Sequence, residues 1–247
     1  MVDPVYQGRQ PREWTGWTPT RVLSEGAGSV PAVSTSEWVE RSRASYDAVA
    51  DAYVGLVARG YPAGDPRDRA LLDLVGELAA SGGGGPVADI GCGPGHVTGH
   101  LHDRGVDVRG IDLSPRMVAL ARAAHPGVRF EVGDMTRLDL PERSLSGALL
   151  WYSLIHVPDA AAPGVIARVA RALRPGGVLL LGFQVGDEVR SPTHAYGGIP
   201  VTLRSQRRPV SRVAGWVRDA GLVVDLEAVR DPDGDPPEGR VLARRPA

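Results

Sequence analysis

Residues 87–101 read VADIGCGPGHVTGHL. A short apolar strand carries Asp89, a turn follows with Gly91, Gly93 and Gly95, and a helix-compatible stretch comes next. Alternate glycines allow the backbone to turn sharply and to approach a ligand closely, and the first turn of a helix offers unpaired N–H groups. The stretch therefore predicts a ligand-binding loop between a strand and a helix.

A second apolar stretch supports a nucleotide-type site. It ends in Asp112, about 20 residues after Gly91, the distance at which an acidic side chain reaches a bound ribose in a βαβ unit. A dinucleotide fingerprint also needs glycine or alanine five residues after its first glycine, and His96 stands there instead. The sequence therefore disfavours NAD and FAD.

The string DIGCGPGH at 89–96 resembles the first motif of class I S-adenosylmethionine (SAM)-dependent methyltransferases, whose loop holds the methionine end of the cofactor. Further stretches follow in the family's order: GIDLSPRMV at 110–118, FEVGDM at 130–135, LSGALLWYSLIHV at 145–157 and LRPGGVLLLGF at 173–183. The stretch SYDAVADAY at 45–53 looks like the N-terminal helix with which many small-molecule methyltransferases cover the cofactor. From about Ser45 onward the chain thus resembles bacterial methyltransferases of secondary metabolism.

The resemblance implies SAM as the cofactor and a role for several side chains. Asp112 would bind the ribose hydroxyls, Asp89 would orient the loop or the amino group of the cofactor, and Asp134 would meet the adenine amino group. Tyr46 would reach the cofactor's carboxylate. The full set of implied cofactor contacts is Tyr46, Asp89, Gly91, Cys92, Gly93, Gly95, Asp112, Leu113, Met117, Asp134, Met135 and Trp151.

His156 is the first candidate for a catalytic base. It follows the predicted fourth strand, where the substrate pocket of this fold opens, and imidazole can accept a proton near neutral pH. A purely structural histidine is the alternative, and His194 and Tyr196 are the next candidates. No metal site is predicted, because His96 and His100 lack a nearby acidic partner.

Absent motifs narrow the acceptor. The fourth strand ends in LWYSLIHV rather than in an Asn/Asp-Pro-Pro-aromatic motif, a single cysteine excludes a two-cysteine mechanism, and no acid follows to hold a metal. We therefore predict a small-molecule acceptor, with O-methylation favoured and N- or C-methylation open. The alternatives are a SAM-binding fold used as a cyclase or isomerase, and a protein-binding module.

The pattern of strands and helices predicts an α/β fold. Two helices, from Ser34 to about Arg59 and from Asp65 to about Ala80, precede an alternation typical of a Rossmann-like, doubly wound, seven-stranded parallel sheet with ligands at the carboxyl edge. Strands are expected near 86–90, 107–111, 128–132, 146–151, 177–184, 222–230 and 239–244, and later helices should start at Gly95, Ser114, Pro163 and Pro209.

The predicted organisation is one main domain. Residues 35–247 form the methyltransferase domain, in which 35–81 supply the cap helices and 184–208 are long enough for a lid or substrate wall. Residues 1–34 are rich in Pro, Gly, Ser and Thr and predict a flexible arm, although Trp14 and Trp17 leave docking open.

Composition limits the classes of partner. The 247 residues carry a formal net charge of −1 without long runs of like charge, which disfavours nucleic acid as a partner. The single cysteine fits a reducing compartment, and no stretch resembles a signal peptide or a membrane span. The sequence therefore predicts a cytoplasmic protein with no membrane partner, and leaves a homodimer open.

Overall fold

Helices and strands alternate after two N-terminal helices in the computed structural model, which describes residues 35–57 and 65–247. The helices are α1 (Thr35–Val57), α2 (Pro66–Ser81), α3 (His96–His102), α4 (Pro115–Ala124), α5 (Ala162–Ala172) and α6 (Val210–Asp219). The strands are β1 (Val87–Ile90), β2 (Val108–Asp112), β3 (Arg129–Val132), β4 (Leu145–Trp151), β5 (Leu173–Gln184), β6 (Val189–Arg190), β7 (His194–Ala195), β8 (Ile199–Pro200), β9 (Ser205–Gln206), β10 (Val223–Arg230) and β11 (Glu238–Arg244).

Seven strands form one sheet in the order β10-β11-β5-β4-β1-β2-β3. The five strands from β1 to β5 run parallel, whereas β11 is antiparallel to both β5 and β10. The predicted α/β sheet is confirmed, but the prediction that all of its strands are parallel is wrong. Only residues 231–237 join β10 to β11, and a crossover to a parallel neighbour needs a dozen or more residues.

The core lies on both faces of the sheet. Every residue of β1 and of β4 is buried, as expected for parallel strands that helices cover on each side. On one face, α5 and α6 pack Val165, Ile166 and Val213 into the main core. On the other, Leu72 of α2 and Leu101 of α3 pack against the strands. A sheet held in this way supports loops of fixed position at its carboxyl edge.

Local signals set the helix boundaries. Asp65 accepts a hydrogen bond from the Arg67 backbone N–H at 2.8 Å, and Ser114 accepts one from the Met117 N–H at 3.0 Å, so both act as N-caps before a proline. The first predicted helix ends at Val57 in the structure. The predicted arm at 1–34, with Trp14, Trp17 and the cap at Ser34, lies outside the described residues.

The segment 184–208 forms two small antiparallel pairs rather than a plain loop. Strand β6 pairs with β9, and β7 pairs with β8. Val201 and Leu203 are buried against Val49 of α1, so the segment is attached to the N-terminal helix. None of the helices within 35–57 and 65–247 is long and apolar enough to cross a bilayer.

Candidate functional site

A cavity opens where β1, β2 and β4 end, beneath α1, and its empty space of about 890 Å³ includes space that is open to solvent. Most of the predicted site residues line it together, namely Tyr46, Asp89, Gly91, Cys92, Gly93, Asp112, Leu113, Met117, Asp134, Met135, Trp151 and His156.

The glycine loop has left-handed backbone angles at three positions, with φ of +82° at Gly91, +53° at Gly93 and +84° at Gly95. A Cβ on Gly91 would lie 2.1 Å from the Cβ of Ser153, and one on Gly95 would lie 2.8 Å from the Phe130 ring. At Gly93 it would meet only Tyr53 Cε1, at 3.9 Å. Gly91 and Gly95 therefore permit close packing of the loop, and Gly93 leaves space on the cavity side.

Gly95 itself does not belong to the cavity lining. It is the N-cap of α3, where its left-handed conformation joins the loop to the helix. The cofactor contact implied for it by resemblance remains a prediction, and the role that the structure gives it is conformational.

Asp112 connects the end of β2 to the glycine loop. Its Oδ2 accepts a hydrogen bond from the Gly93 N–H at 2.8 Å, and its Oδ1 accepts one from the Ser114 N–H at 2.8 Å. Burial raises the pKa of this carboxyl to about 6, against the lowering effect of these backbone donors. Each oxygen still has acceptor capacity, so the carboxylate can receive further hydroxyl donors.

Only one of the two carboxyl oxygens of Asp89 accepts a hydrogen bond from the described residues. Its Oδ2 accepts a hydrogen bond from Thr98 Oγ1 at 2.7 Å, whereas Oδ1 is buried and meets no hydrogen-bond donor among the described residues. Burial raises the pKa of the Asp89 carboxyl to about 7. An unsatisfied buried carboxylate oxygen is costly, and a bound ammonium group would satisfy it. The unused acceptor oxygen of Asp89 therefore fits the amino group of SAM.

Apolar residues flank a third carboxylate in the cavity. Asp134 Oδ1 accepts from both the backbone N–H and the hydroxyl of Thr136, at 2.8 and 2.7 Å, which fixes the turn after β3. Met135 and Leu113 line the cavity beside it and offer apolar surface to a ring. The arrangement fits the adenine contacts that the resemblance implied.

His156 has a defined tautomer. Its Nδ1 lies 2.9 Å from the carbonyl oxygen of Arg204, and because a carbonyl only accepts, Nδ1 carries the proton. Its Nε2 is therefore an acceptor and receives the hydroxyl of Tyr46 at 2.6 Å. Burial lowers the pKa of His156, so the ring is neutral near pH 7. Such a ring can accept a proton in the cavity.

Arg208 fixes the short 3-10 turn Leu154–His156. The side chain is buried, its Nε lies 2.8 Å from Asp159 Oδ1, and its terminal nitrogens donate to the carbonyls of Leu154 and Val157. Arg208 thus serves the protein's own carbonyls.

Sequence reasoning missed part of the cavity wall. Trp38 and Ser42 line the cavity from α1 together with Tyr46 and Tyr53, and Tyr152 and Ser153 line it after β4. The positions 38, 42 and 46 recur every four residues, so they share one helix face. This spacing is the signal that would have found Trp38 and Ser42.

The second-rank catalytic candidates lie outside the cavity lining. Tyr196 packs its ring edge-on against Tyr53, with ring centroids 5.1 Å apart. His194 is exposed, with Nδ1 3.1 Å from Thr193 Oγ1. Of the three catalytic candidates, the structure brings only His156 into the lining.

Trp151 lies at the end of β4 with its ring supported from behind. The Arg240 guanidinium lies 4.6 Å from the ring centroid and forms a bidentate ion pair with Asp68, with both N–O distances 2.9 Å. Trp151 is 5% exposed, and its indole N–H meets no acceptor within the part of the chain that the structure describes. The indole N–H is therefore a buried donor without an acceptor among the described residues.

Comparison with known proteins gives the chain its relatives. A family model described as a methyltransferase domain matches residues 87–177. A trans-aconitate 2-methyltransferase of Methylobacterium nodulans is 31% identical over 180 residues. That match covers 66% of this chain and 66% of the relative, so the chain spans just under two thirds of the relative's length.

Solved structures share the fold. The 1,6-didemethyltoxoflavin-N1-methyltransferase of Burkholderia thailandensis, solved with its substrate and S-adenosylhomocysteine, superposes with a TM-score of 0.64 at 20% identity, covering 93% of this chain and 99% of that one. The [4+2]-cyclase SpnF superposes with a TM-score of 0.66 at 20% identity, covering 85% and 96%. At these identities the similarity establishes architecture alone.

Proposed function

We propose that this chain, which belongs to the class I SAM-dependent methyltransferases, transfers a methyl group to a hydroxyl of a small molecule. One observation carries the proposal. The same cavity is lined by the glycine loop, by the carboxylates at the strand ends and by a neutral histidine whose Nε2 carries no proton. Cofactor binding and acceptor deprotonation would thus occur in one enclosed space.

The proposed cofactor end is built from β1, β2 and the loop after β3. Asp112 would accept the two ribose hydroxyls while its backbone donors keep it in place, and Asp89 Oδ1 would accept from the ammonium group. Met135 and Leu113 would enclose the adenine, with Asp134 at its amino group. When bound there, SAM supplies an electrophilic methyl group, whose transfer forms an O–CH3 bond and leaves the S–C electron pair on sulfur.

The proposed acceptor end is built around His156. The hydroxyl proton of the acceptor would pass to Nε2, since Nδ1 is already held by the Arg204 carbonyl. In the structure the Tyr46 hydroxyl donates its hydrogen bond to Nε2, and the hydroxyl of the methyl acceptor would take the place of Tyr46. General-base assistance contributes roughly 10²–10⁴-fold, and the remaining acceleration would come from holding the oxygen in line with the methyl group.

The proposal places this reaction in the cytoplasm and in the tailoring of natural products, as the sequence predicted. Incubation with methyl-labelled SAM and candidate acceptors, followed by mass spectrometry, tests it directly. Labelled product whose formation slows in His156→Asn supports the proposal. Tight SAM binding without transfer to any acceptor would favour the cyclase or isomerase alternative. Light scattering of the full chain tests the homodimer that the sequence left open.

A further inference from the structure

The part of the cavity beyond the glycine loop is walled by aromatic rings. Helix α1 contributes Trp38, Tyr46 and Tyr53, which we call the aromatic wall, and Tyr152 adds a ring from the end of β4. The rings of Tyr46 and His156 meet edge-on with centroids 5.2 Å apart, which places the Tyr46 ring at the His156 end of the cavity. Rings presented as flat or edge-on surfaces bind planar ring systems well.

The carboxyl groups are the charged groups that the described residues contribute to the cavity lining. Its lining, within the described residues, includes the carboxyl groups of Asp89, Asp112 and Asp134 and no arginine, and the chain contains no lysine. Burial lowers the pKa of His156 and raises that of Tyr46, so both side chains are neutral near pH 7. An acceptor carboxylate would enter this space without a cationic partner among the described residues, which is unfavourable.

The arginines of the lid segment do not alter this balance. Arg207 pairs with Glu188 at 3.1 Å and with Asp235 at 3.0 Å, and Arg208 is committed to Asp159 and two carbonyls. Arg204 holds His156 through its backbone carbonyl, while its side chain is exposed to solvent. Arg190 of the same segment is exposed and lies outside the cavity lining, so it is the residue against which a competing, anion-binding mode can be tested.

We propose that the acceptor is an uncharged, planar aromatic compound that presents a ring hydroxyl to His156, and that the aromatic wall binds its ring. This proposal rests on the methyltransferase function proposed above. It sets the chain apart from the relative named for trans-aconitate, a tricarboxylate, since the cavity offers rings in place of cations. The ring hydroxyl would lose its proton to His156 Nε2 and gain the methyl group.

Pairs of probes that differ by one carboxylate separate the effect of ring shape on binding from the effect of charge. The full chain, saturated with S-adenosylhomocysteine, is titrated calorimetrically with 7-hydroxycoumarin and its 3-carboxylate, with 2-naphthol and 6-hydroxy-2-naphthoate, and with trans-aconitate. We expect each neutral phenol to bind roughly tenfold or more tightly than its carboxylated partner, and trans-aconitate to show no measurable binding. Trp38→Ala should weaken phenol binding and Trp38→Phe should preserve most of it, with affinity for S-adenosylhomocysteine unchanged in both.

Arg190→Ala and Trp216→Phe are the controls, because the first removes an exposed cation of the same segment and the second removes a tryptophan that packs on Arg208 outside the cavity. Both should bind the phenols as the wild type does. The proposal is overturned if carboxylates bind as tightly as their neutral partners, if trans-aconitate binds through Arg190, or if no neutral phenol binds. Failure of the proposed function looks different: no probe would receive labelled methyl, even where binding is tight.

Discussion

The hydroxyl of Tyr46 lies 2.6 Å from Nε2 of His156, so α1 and the turn after β4 meet at the proposed catalytic nitrogen. The same turn is fixed from its other side by the Arg204 carbonyl on Nδ1. Resemblance had implied that Tyr46 contacts the cofactor's carboxylate, and that role stays a prediction. The contact observed instead gives Tyr46 a place at the acceptor end.

Replacing His156 tests its role as a base. His156→Asn should lower kcat by roughly 10²–10⁴-fold and leave the Kd for S-adenosylhomocysteine unchanged, because the hydrogen bonds of the His156 ring go to Tyr46 and the Arg204 carbonyl rather than to the carboxylates that would hold the cofactor. The rate of the variant should recover as pH approaches the pKa of the acceptor hydroxyl. Stopped-time assays between pH 6 and 10 measure this, and a wild-type rate and pH profile would show that His156 is structural.

Asp112→Ala should weaken binding of SAM by roughly 1.5–3 kcal/mol, because charge-assisted bonds to the ribose are lost. The structure adds a cost in stability, since the N–H groups of Gly93 and Ser114 also lose their acceptor. Binding to the wild type should weaken as pH falls below about 6, where this carboxyl becomes protonated. Calorimetric titration checks both effects, and wild-type affinity in the variant would contradict the assignment of the ribose site.

Two glycines of the loop should respond differently to alanine. Gly91→Ala places a Cβ 2.1 Å from that of Ser153 and is expected to destabilise the fold by several kcal/mol, whereas Gly93→Ala meets open space and should cost only about 1–2 kcal/mol for its left-handed backbone. Gly93→Ala should nevertheless weaken cofactor binding, because its methyl group occupies the cavity side of the loop. Thermal melts and titrations of the two variants test this contrast, which equal melting temperatures would refute.

Asp89 should make the unliganded protein less stable at high pH. Its pKa rises from an ordinary value near 4 to about 7 on folding, so between these values the folded state holds a proton that the unfolded state releases. As far as Asp89 is concerned, the free energy of unfolding is therefore highest below about pH 4 and falls as the pH rises through about 7.

The matched variant is Asp89→Asn, which retains an acceptor for Thr98 and removes the buried charge. Relative to wild type it should gain roughly 1–4 kcal/mol between pH 5 and pH 8. Denaturant titrations at the two pH values provide the measurement. A stability difference that does not change with pH would mean that Asp89 is already ionised with little penalty.

The sequence by itself determined the order of strands and helices and the position of the glycine loop after β1. Those features are local: glycines 91, 93 and 95 specify a turn, capping residues and prolines start the helices, and buried parallel strands appear as continuous apolar runs. The predicted strands therefore match the observed ones closely from β1 to β4. Near its end the chain differed from the prediction, because the connection 231–237 is too short for a parallel crossover and β11 is antiparallel to both β5 and β10.

Tertiary structure alone decided which side chains share the cavity and in what chemical state. The contact between Tyr46 and His156 spans 110 residues of sequence, and no local pattern encodes a pairing at that separation. Burial lowers the pKa of His156 and raises that of Asp89, and the carbonyls of Leu154 and Val157 hold the buried Arg208. Each of these effects depends on residues distant in the chain, which come together only once the chain has folded.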